Sequence, residues 1–173
     1  MTENKAQFEA DIMMVDDDDD DTMANRYLSF RIENEDYGIP IQNVIEIIEL
    51  QKIIEIPDMP DFVKGVINLR GRVIPIMDLR LRFHFVEKEH DDRTCIVIVN
   101  INDSRIGLIV DRVEEVLEIS ANNVEPPPKF KNKSNAEQYI SGLGKTGDSI
   151  KIILDVGKII SEDNMEEIKN IEL

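Results

Sequence analysis

From Arg26 onward the sequence breaks into about nine short apolar segments, each a few residues long and each followed by turn-forming residues. Segments this short and this closely spaced bury their apolar faces by pairing as strands, and the rhythm predicts barrels or a sandwich. Leu28, Phe30 and Ile32 alternate with Tyr27, Ser29 and Arg31, the period-2 pattern of a half-buried strand, and polar Glu33 to Asp36 turn the chain into Tyr37 to Ile39. Gly65 to Leu69 and Val73 to Phe83 read as two strands around a turn at Gly71, with Leu79, Leu81 and Phe83 alternating with Arg80, Arg82 and His84. Cys95 to Ile101 and Arg105 to Val110 flank Asn102-Asp103-Ser104, whose residue types favour a hairpin, and Val113 to Ile119 extends that meander up to the prolines at 126–128. Tyr139 to Gly144 and Ile150 to Val156 form a last hairpin over Thr146 to Ser149, and Ile53, Ile54 and Ile56 read as one more short strand before the Pro57 to Pro60 loop. Two segments depart from this rhythm. After Pro40, the residues Ile41, Val44, Ile45 and Ile48 recur at i, i+3, i+4 and i+7, which predicts a short amphipathic helix, and Ser161 fits the N-cap of a terminal helix carrying Met165 and Ile168.

Composition decides which partners such a fold can have. Of 173 residues, 36 are acidic and 20 basic, so a formal charge of -16 repels a phosphate backbone and nucleic acid is not an expected partner. A single cysteine, Cys95, excludes an internal disulfide and cannot anchor a thiolate metal site, which fits a reducing, cytoplasmic setting. No run of roughly 18 apolar residues occurs, and the amino terminus has no apolar signal core, so neither export nor direct membrane insertion is expected. Residues 1–25 stand apart, because nine acids against Lys5, including the unbroken run Asp16 to Asp21, repel one another and favour a solvated arm.

Catalytic and ligand motifs fail on context. Gly142-Leu143-Gly144-Lys145-Thr146-Gly147 satisfies GxGxxG and ends like a phosphate loop, making a small nucleotide-binding enzyme the alternative function. Yet Tyr139 stands where a Walker loop needs glycine, and the strand-like Ser149-Ile150-Lys151-Ile152 follows where a helix N-terminus belongs. The Asp16 to Asp21 run resembles the start of an EF-hand but has Asp21 at the glycine position and Tyr27 where a bidentate glutamate belongs. His84 and His90 lack a cysteine or carboxylate at ligand spacing and read as surface histidines. No catalytic residue, metal or cofactor is expected.

The segment Gly65-Val66-Ile67-Asn68-Leu69-Arg70-Gly71-Arg72-Val73-Ile74-Pro75-Ile76-Met77-Asp78-Leu79 carries more. It resembles the CheW family, whose hallmark is GVxNLRGxxxPIxDL, and three further segments agree in order and spacing: Tyr37-Gly38-Ile39 leading to Val44-Ile45-Glu46-Ile47, Gly107 to Asp111, and Tyr139 to Gly144. The resemblance implies a mainly β protein of two small five-stranded SH3-like barrels with a groove between them, a short helix between strands and a C-terminal helix. The organisation it suggests is an acidic arm over 1–25, a CheW-like domain over 26–160 and a helix over 161–173. It implies a non-catalytic chemotaxis adaptor coupling the cytoplasmic helical hairpin of methyl-accepting chemoreceptors to the regulatory domain of the histidine kinase CheA. No kinase or phosphoacceptor domain fits beside it, which favours the free-standing adaptor. By the same resemblance Val44, Glu46, Gly65, Asn68, Arg70 and Gly71 line the receptor groove, with Glu46 facing Arg70 across it. Ile41 and Phe130 fall on the kinase-binding faces, although Glu125 stands where some relatives carry a basic residue. The arm is not part of the family pattern.

Overall fold

The computed structural model describes residues 23–128 and 138–160. In chain order its strands are β1 Arg26–Ile32, β2 Glu35–Pro40, β3 Val44–Glu49, β4 Val63–Leu69, β5 Arg72–Asp78, β6 Cys95–Ile101, β7 Ser104–Val110, β8 Arg112–Glu118, β9 Val124–Glu125, β10 Ile140–Thr146 and β11 Ser149–Leu154. Two single helical turns, α1 Leu79–Arg82 and α2 Val156–Ile159, follow β5 and β11. The strands form two sheets, ordered β8-β1-β2-β11-β10-β9 and β3-β6-β7-β5-β4. The second lobe is one continuous stretch of chain from β3 to β7. Lobe one joins β1 and β2 from before that stretch to β8–β11 from after it, through an antiparallel pairing of β1 with β8 and a parallel pairing of β2 with β11.

Three local expectations give way. Ile41–Asn43 is a 3-10 turn and Val44–Glu49 a strand, so the helix expected over 41–48 does not form. The strand is apolar on both faces, since Ile47 joins the core shared by the lobes and Ile48 the core inside lobe two, and its pairing with β6 slips by one residue at Ile45. Two apolar faces plus a bulge imitate helical spacing, and the β-branched side chains suit the strand. The strand expected to run on to Phe83 ends at Asp78, whose Oδ1 accepts the Arg80 amide at 2.9 Å and caps α1. Ile53 to Ile56 contribute one isolated bridge, Ile54 to Val66, in place of a strand. The helix expected from Ser161 lies outside the described residues, as does most of the acidic arm.

Two cores hold the lobes. Leu28, Phe30 and Ile39 of lobe one pack in one cluster with Val97, Val99 and Leu108 of lobe two, while Ile67, Ile74, Ile76, Ile96 and Ile98 fill the interior of lobe two. Along the junction run the stacked rings of Phe30, Tyr37, Phe83 and Tyr139, with successive centroids 6.0, 5.4 and 5.0 Å apart. Arg82 lies over Phe62 and Tyr139 and donates Nε to the Ile159 carbonyl at 2.7 Å. Arg80, 5% exposed, reaches from α1 to both Glu33 in the β1–β2 turn and Asp111, donating Nη1 to Asp111 Oδ2 at 2.5 Å.

The lobes are copies of one plan. The hairpin β4–β5 maps onto β10–β11 at a constant offset of 77 residues, Gly65 onto Gly142 and Asp78 onto Asp155, with a bulge at the same place. Strands β1 and β2 map onto β6 and β7 at an offset of 69, and β3 onto β8 at the same offset, again with matching bulges. Both copies pair a glycine across the parallel ladder, Ile76 with Gly107 and Ile153 with Gly38. Both also end in an aspartate before a helical turn. In each, the chain leaving the first edge strand crosses to the last one, through Ile54 to Val66 in lobe two and Glu125 to Leu143 in lobe one.

Candidate functional site

The most exposed feature built from the distinctive motif is the tip of the β4–β5 hairpin. Leu69 pairs with Arg72, leaving Arg70 and Gly71 as a two-residue turn with φ of 51° and 84°. Positive φ at both positions is the type I′ pattern, whose twist matches the strands it joins. Asn68 locks the turn by accepting the Gly71 amide on Oδ1 at 2.9 Å. An arginine seldom occupies the left-handed region, and this one is held there with its side chain 68% exposed while its Nη2 donates to Glu46 Oε1. The guanidinium is thereby held in a fixed direction.

Glu46 and Arg70 belong to the same sheet, on β3 at one edge and on the hairpin at the other. Their ion pair therefore spans the curl of lobe two, and it does not bridge a cleft between lobes. Of the other expected groove residues, Asn68 and Gly71 are exposed, while Val44 is a core residue at 8% exposure. Gly65 is buried too, and its presence has a steric cause. It holds φ at 137° and a Cβ there would lie 2.0 Å from the Ile54 carbonyl oxygen, so only glycine lets the crossing strand reach β4. Ile41 is 2% exposed and packs in the shared core, and Phe130 lies outside the described residues.

The structure adds Val73 to this surface. It sits across from Asn68 and is 46% exposed beside exposed Arg72, while Ile54, 55% exposed, flanks the same hairpin. Placing a two-residue turn at Arg70-Gly71 in the sequence sets Asn68 opposite Val73 and would have found it. Arg80, Glu33 and Asp111 left no such signal, because the turns that bring them together are far apart in the chain. At the base of the hairpin, burial pushes the Asp78 carboxyl above the usual carboxylate range, against the amide hydrogen bonds it accepts.

The Gly142–Gly147 segment is strand β10 running into the β10–β11 turn, so no helix N-terminus faces it. Among the described residues no group of three or more His, Cys, Asp or Glu is placed to hold a metal, and no helix is long and apolar enough to cross a membrane.

A family model described as the CheW-like domain matches residues 26–164. The chain belongs to the CheW-like family. The chemotaxis protein CheW of Klebsiella aerogenes is 36% identical over 151 residues, covering 87% of this chain and 90% of that one. That of Treponema pallidum is 37% identical over 148 residues, covering 83% and 86%. The crystal structure of the scaffolding protein TtCheW from Thermoanaerobacter tengcongensis superposes with a TM-score of 0.74 at 34% identity, over 81% of this chain and 94% of that chain. The two β lobes are thus the two SH3-like subdomains of a CheW-like scaffold, and the protein is a chemotaxis adaptor and not an enzyme.

Proposed function

We propose that this chain couples chemoreceptors to the kinase CheA in the cytoplasm, and that the Arg70 hairpin of lobe two is where the receptor's helical hairpin docks. The observation that carries the assignment is the presentation of Arg70. A guanidinium fixed in a type I′ turn, tethered to Glu46 and flanked by Asn68, Val73 and Ile54, offers a charged tip beside an apolar strip. An amphipathic helix is the natural complement of such a surface. Asn68, Arg70 and Gly71 supply its exposed part with half-buried Glu46 beside them, while Val44 and Gly65 support it from beneath. The CheA regulatory domain engages other faces of the two lobes. Ile41 contributes there by shaping the wall on which β3 begins, and Phe130 stands in the segment between β9 and β10.

Interfaces of about 1,200 to 1,600 Å² with micromolar affinity, near -8 kcal/mol, suffice for an adaptor that works in an assembly, where several weak contacts reinforce each other. Arg70→Glu reverses the charge at an exposed position and places a second carboxylate beside Glu46. Calorimetric titration with a receptor cytoplasmic hairpin should show affinity lowered by about tenfold or more, with unchanged thermal unfolding. Wild-type affinity in that variant would remove the hairpin tip from the receptor interface.

A further inference from the structure

The β4–β5 hairpin stands apart from the rest of the chain in its charge. Phe62 to Met77 is the longest stretch of the sequence without a carboxylate, and it carries Lys64, Arg70 and Arg72. Lys64 is taken up by Glu87 at 2.6 Å, and Arg70 by half-buried Glu46. Arg72 is exposed and has no ion pair among the described residues. With exposed Val73 and Ile54 flanking the same hairpin, lobe two presents a basic tip and an apolar strip on a chain of formal charge -16.

The complementary chemistry is gathered in residues 1–22, which lie outside the described residues. Nine acids stand there against Lys5, six of them from Asp16 to Asp21, and Phe8, Ile12 and Val15 precede that run at i, i+4 and i+7. This arm is tethered close to the hairpin. Met23 packs against the core shared by the lobes, and Tyr27 pairs with Pro40, about 5 Å away across the ladder. From Pro40 the chain passes through the 3-10 turn straight into β3, so Glu46 and the guanidinium it holds lie at most about 30 Å from Tyr27. Asp16 stands eleven positions before Tyr27, a span of up to about 37 Å, and Phe8 reaches further.

We propose that the acidic arm docks on the β4–β5 hairpin, with the aspartates of the 16–21 run against Arg70 and Arg72 and with Phe8, Ile12 and Val15 on the strip of Val73 and Ile54. A segment that joins apolar residues at helical spacing to a string of carboxylates matches both halves of that surface. With the arm's -8 set aside from the total of -16, the rest of the chain still carries -8, so its field repels the arm away from this basic tip. A tethered segment needs only weak pairing to occupy its site, because it never leaves the neighbourhood. By covering the hairpin the arm competes with the receptor's helix, a consequence that rests on the receptor docking proposed above.

The test compares amide signals of the isotope-labelled full chain with those of a full-length variant carrying Asp16→Asn through Asp21→Asn. The differences should gather at Arg70, Gly71, Arg72 and Val73, and should vanish by about 0.5 M salt, where the screening length is near 4 Å. Arg72→Gln should in turn move the amides of Asp16 to Asp21 in the otherwise unchanged chain. Calorimetric titration with a receptor cytoplasmic hairpin at low salt should find the asparagine variant binding about threefold tighter, the gain expected when the arm covers the hairpin about two-thirds of the time. Both variants are checked for unchanged melting. Hairpin amides indifferent to the aspartates, or differences scattered over both lobes, overturn the proposal and leave receptor docking to the Arg70→Glu test. Hairpin differences without any change in receptor affinity uphold the docking of the arm and remove the receptor from this surface.

Discussion

A methyl group on Gly65 would collide with the Ile54 carbonyl at 2.0 Å in a backbone conformation that already disfavours side chains. Gly65→Ala should therefore cost on the order of 3 kcal/mol in urea denaturation, whereas Gly71→Ala, with φ of 84° but open space around it, should cost about 1 kcal/mol. Equal costs would show that the crossing strand does not press on β4. Asp36 gives the molecule an acid limit. Burial pushes its carboxyl up, but hydrogen bonds from Arg31 at 3.0 Å and from buried Lys151 at 3.1 Å outweigh that and hold it below the usual carboxylate range. A lowered folded pKa contributes stability that is complete above about pH 4 and is lost as pH falls through the folded value. Asp36→Asn should flatten the decline in melting temperature between neutral pH and about pH 3. The Tyr37 phenol, pushed up to about 12 mainly by burial, sets the alkaline limit: its contribution is present below pH 10 and fades as pH climbs toward 12. Asp36→Asn should leave that alkaline limb as it was.

Between elements, Arg80 is the fastener. It links α1 of lobe two to the β1–β2 turn and to the start of β8, and Asp111 Oδ2 also accepts the Glu33 amide at 2.9 Å. Arg80→Met would strand two carboxylates, with side-chain exposures of 38% for Glu33 and 20% for Asp111, and that partial solvation moderates the cost. Denaturation should show a loss of about 2 kcal/mol, and a loss below about 0.5 kcal/mol would mean the lobes are held by their apolar junction alone. Elements also mark the limits of what the sequence could tell. Hairpins such as β1–β2, β6–β7 and β10–β11 were legible because alternation and turn residues act within a few positions. β3 was not, since burial on both faces is a property of the sheets it ends up between. α1 is hidden from a local reading because Leu79, Leu81 and Phe83 do alternate, and the capping by Asp78 that starts the helical turn depends on one side-chain hydrogen bond. At the candidate site, the expectation set Glu46 facing Arg70 across a groove between the lobes, whereas the two pair within one sheet, which follows from the curl of lobe two and which no local pattern encodes.

Over the whole molecule the two lobes are unequal in spite of their common plan. Positions that hold Ile98, Ile74 and Ile67 in the interior of lobe two hold Ser29, Lys151 and Gly144 in lobe one. Ser29 Oγ is buried without a hydrogen-bond partner among the described residues, and Lys151, 7% exposed, depends on Asp36. Less apolar burial and an unsatisfied hydroxyl lower the free energy needed to open a lobe. Native-state hydrogen exchange should therefore find amides of β10 and β11 exchanging through openings smaller than those that expose β6 and β7. Protection as deep in both pairs would show that the lobes unfold as one unit.

Lobe one is stitched from strands on either side of lobe two, and this orders events on the ribosome. Synthesis delivers β1 and β2 first, yet their parallel neighbour β11 leaves the exit tunnel after more than a hundred further residues have been made. The middle lobe is complete in the meantime and can fold as it emerges. The early hairpin waits meanwhile with both edges open, one reserved for β8 and the other, for longer, for β11, a vulnerable interval during which a chaperone or a neighbouring nascent chain could claim either edge.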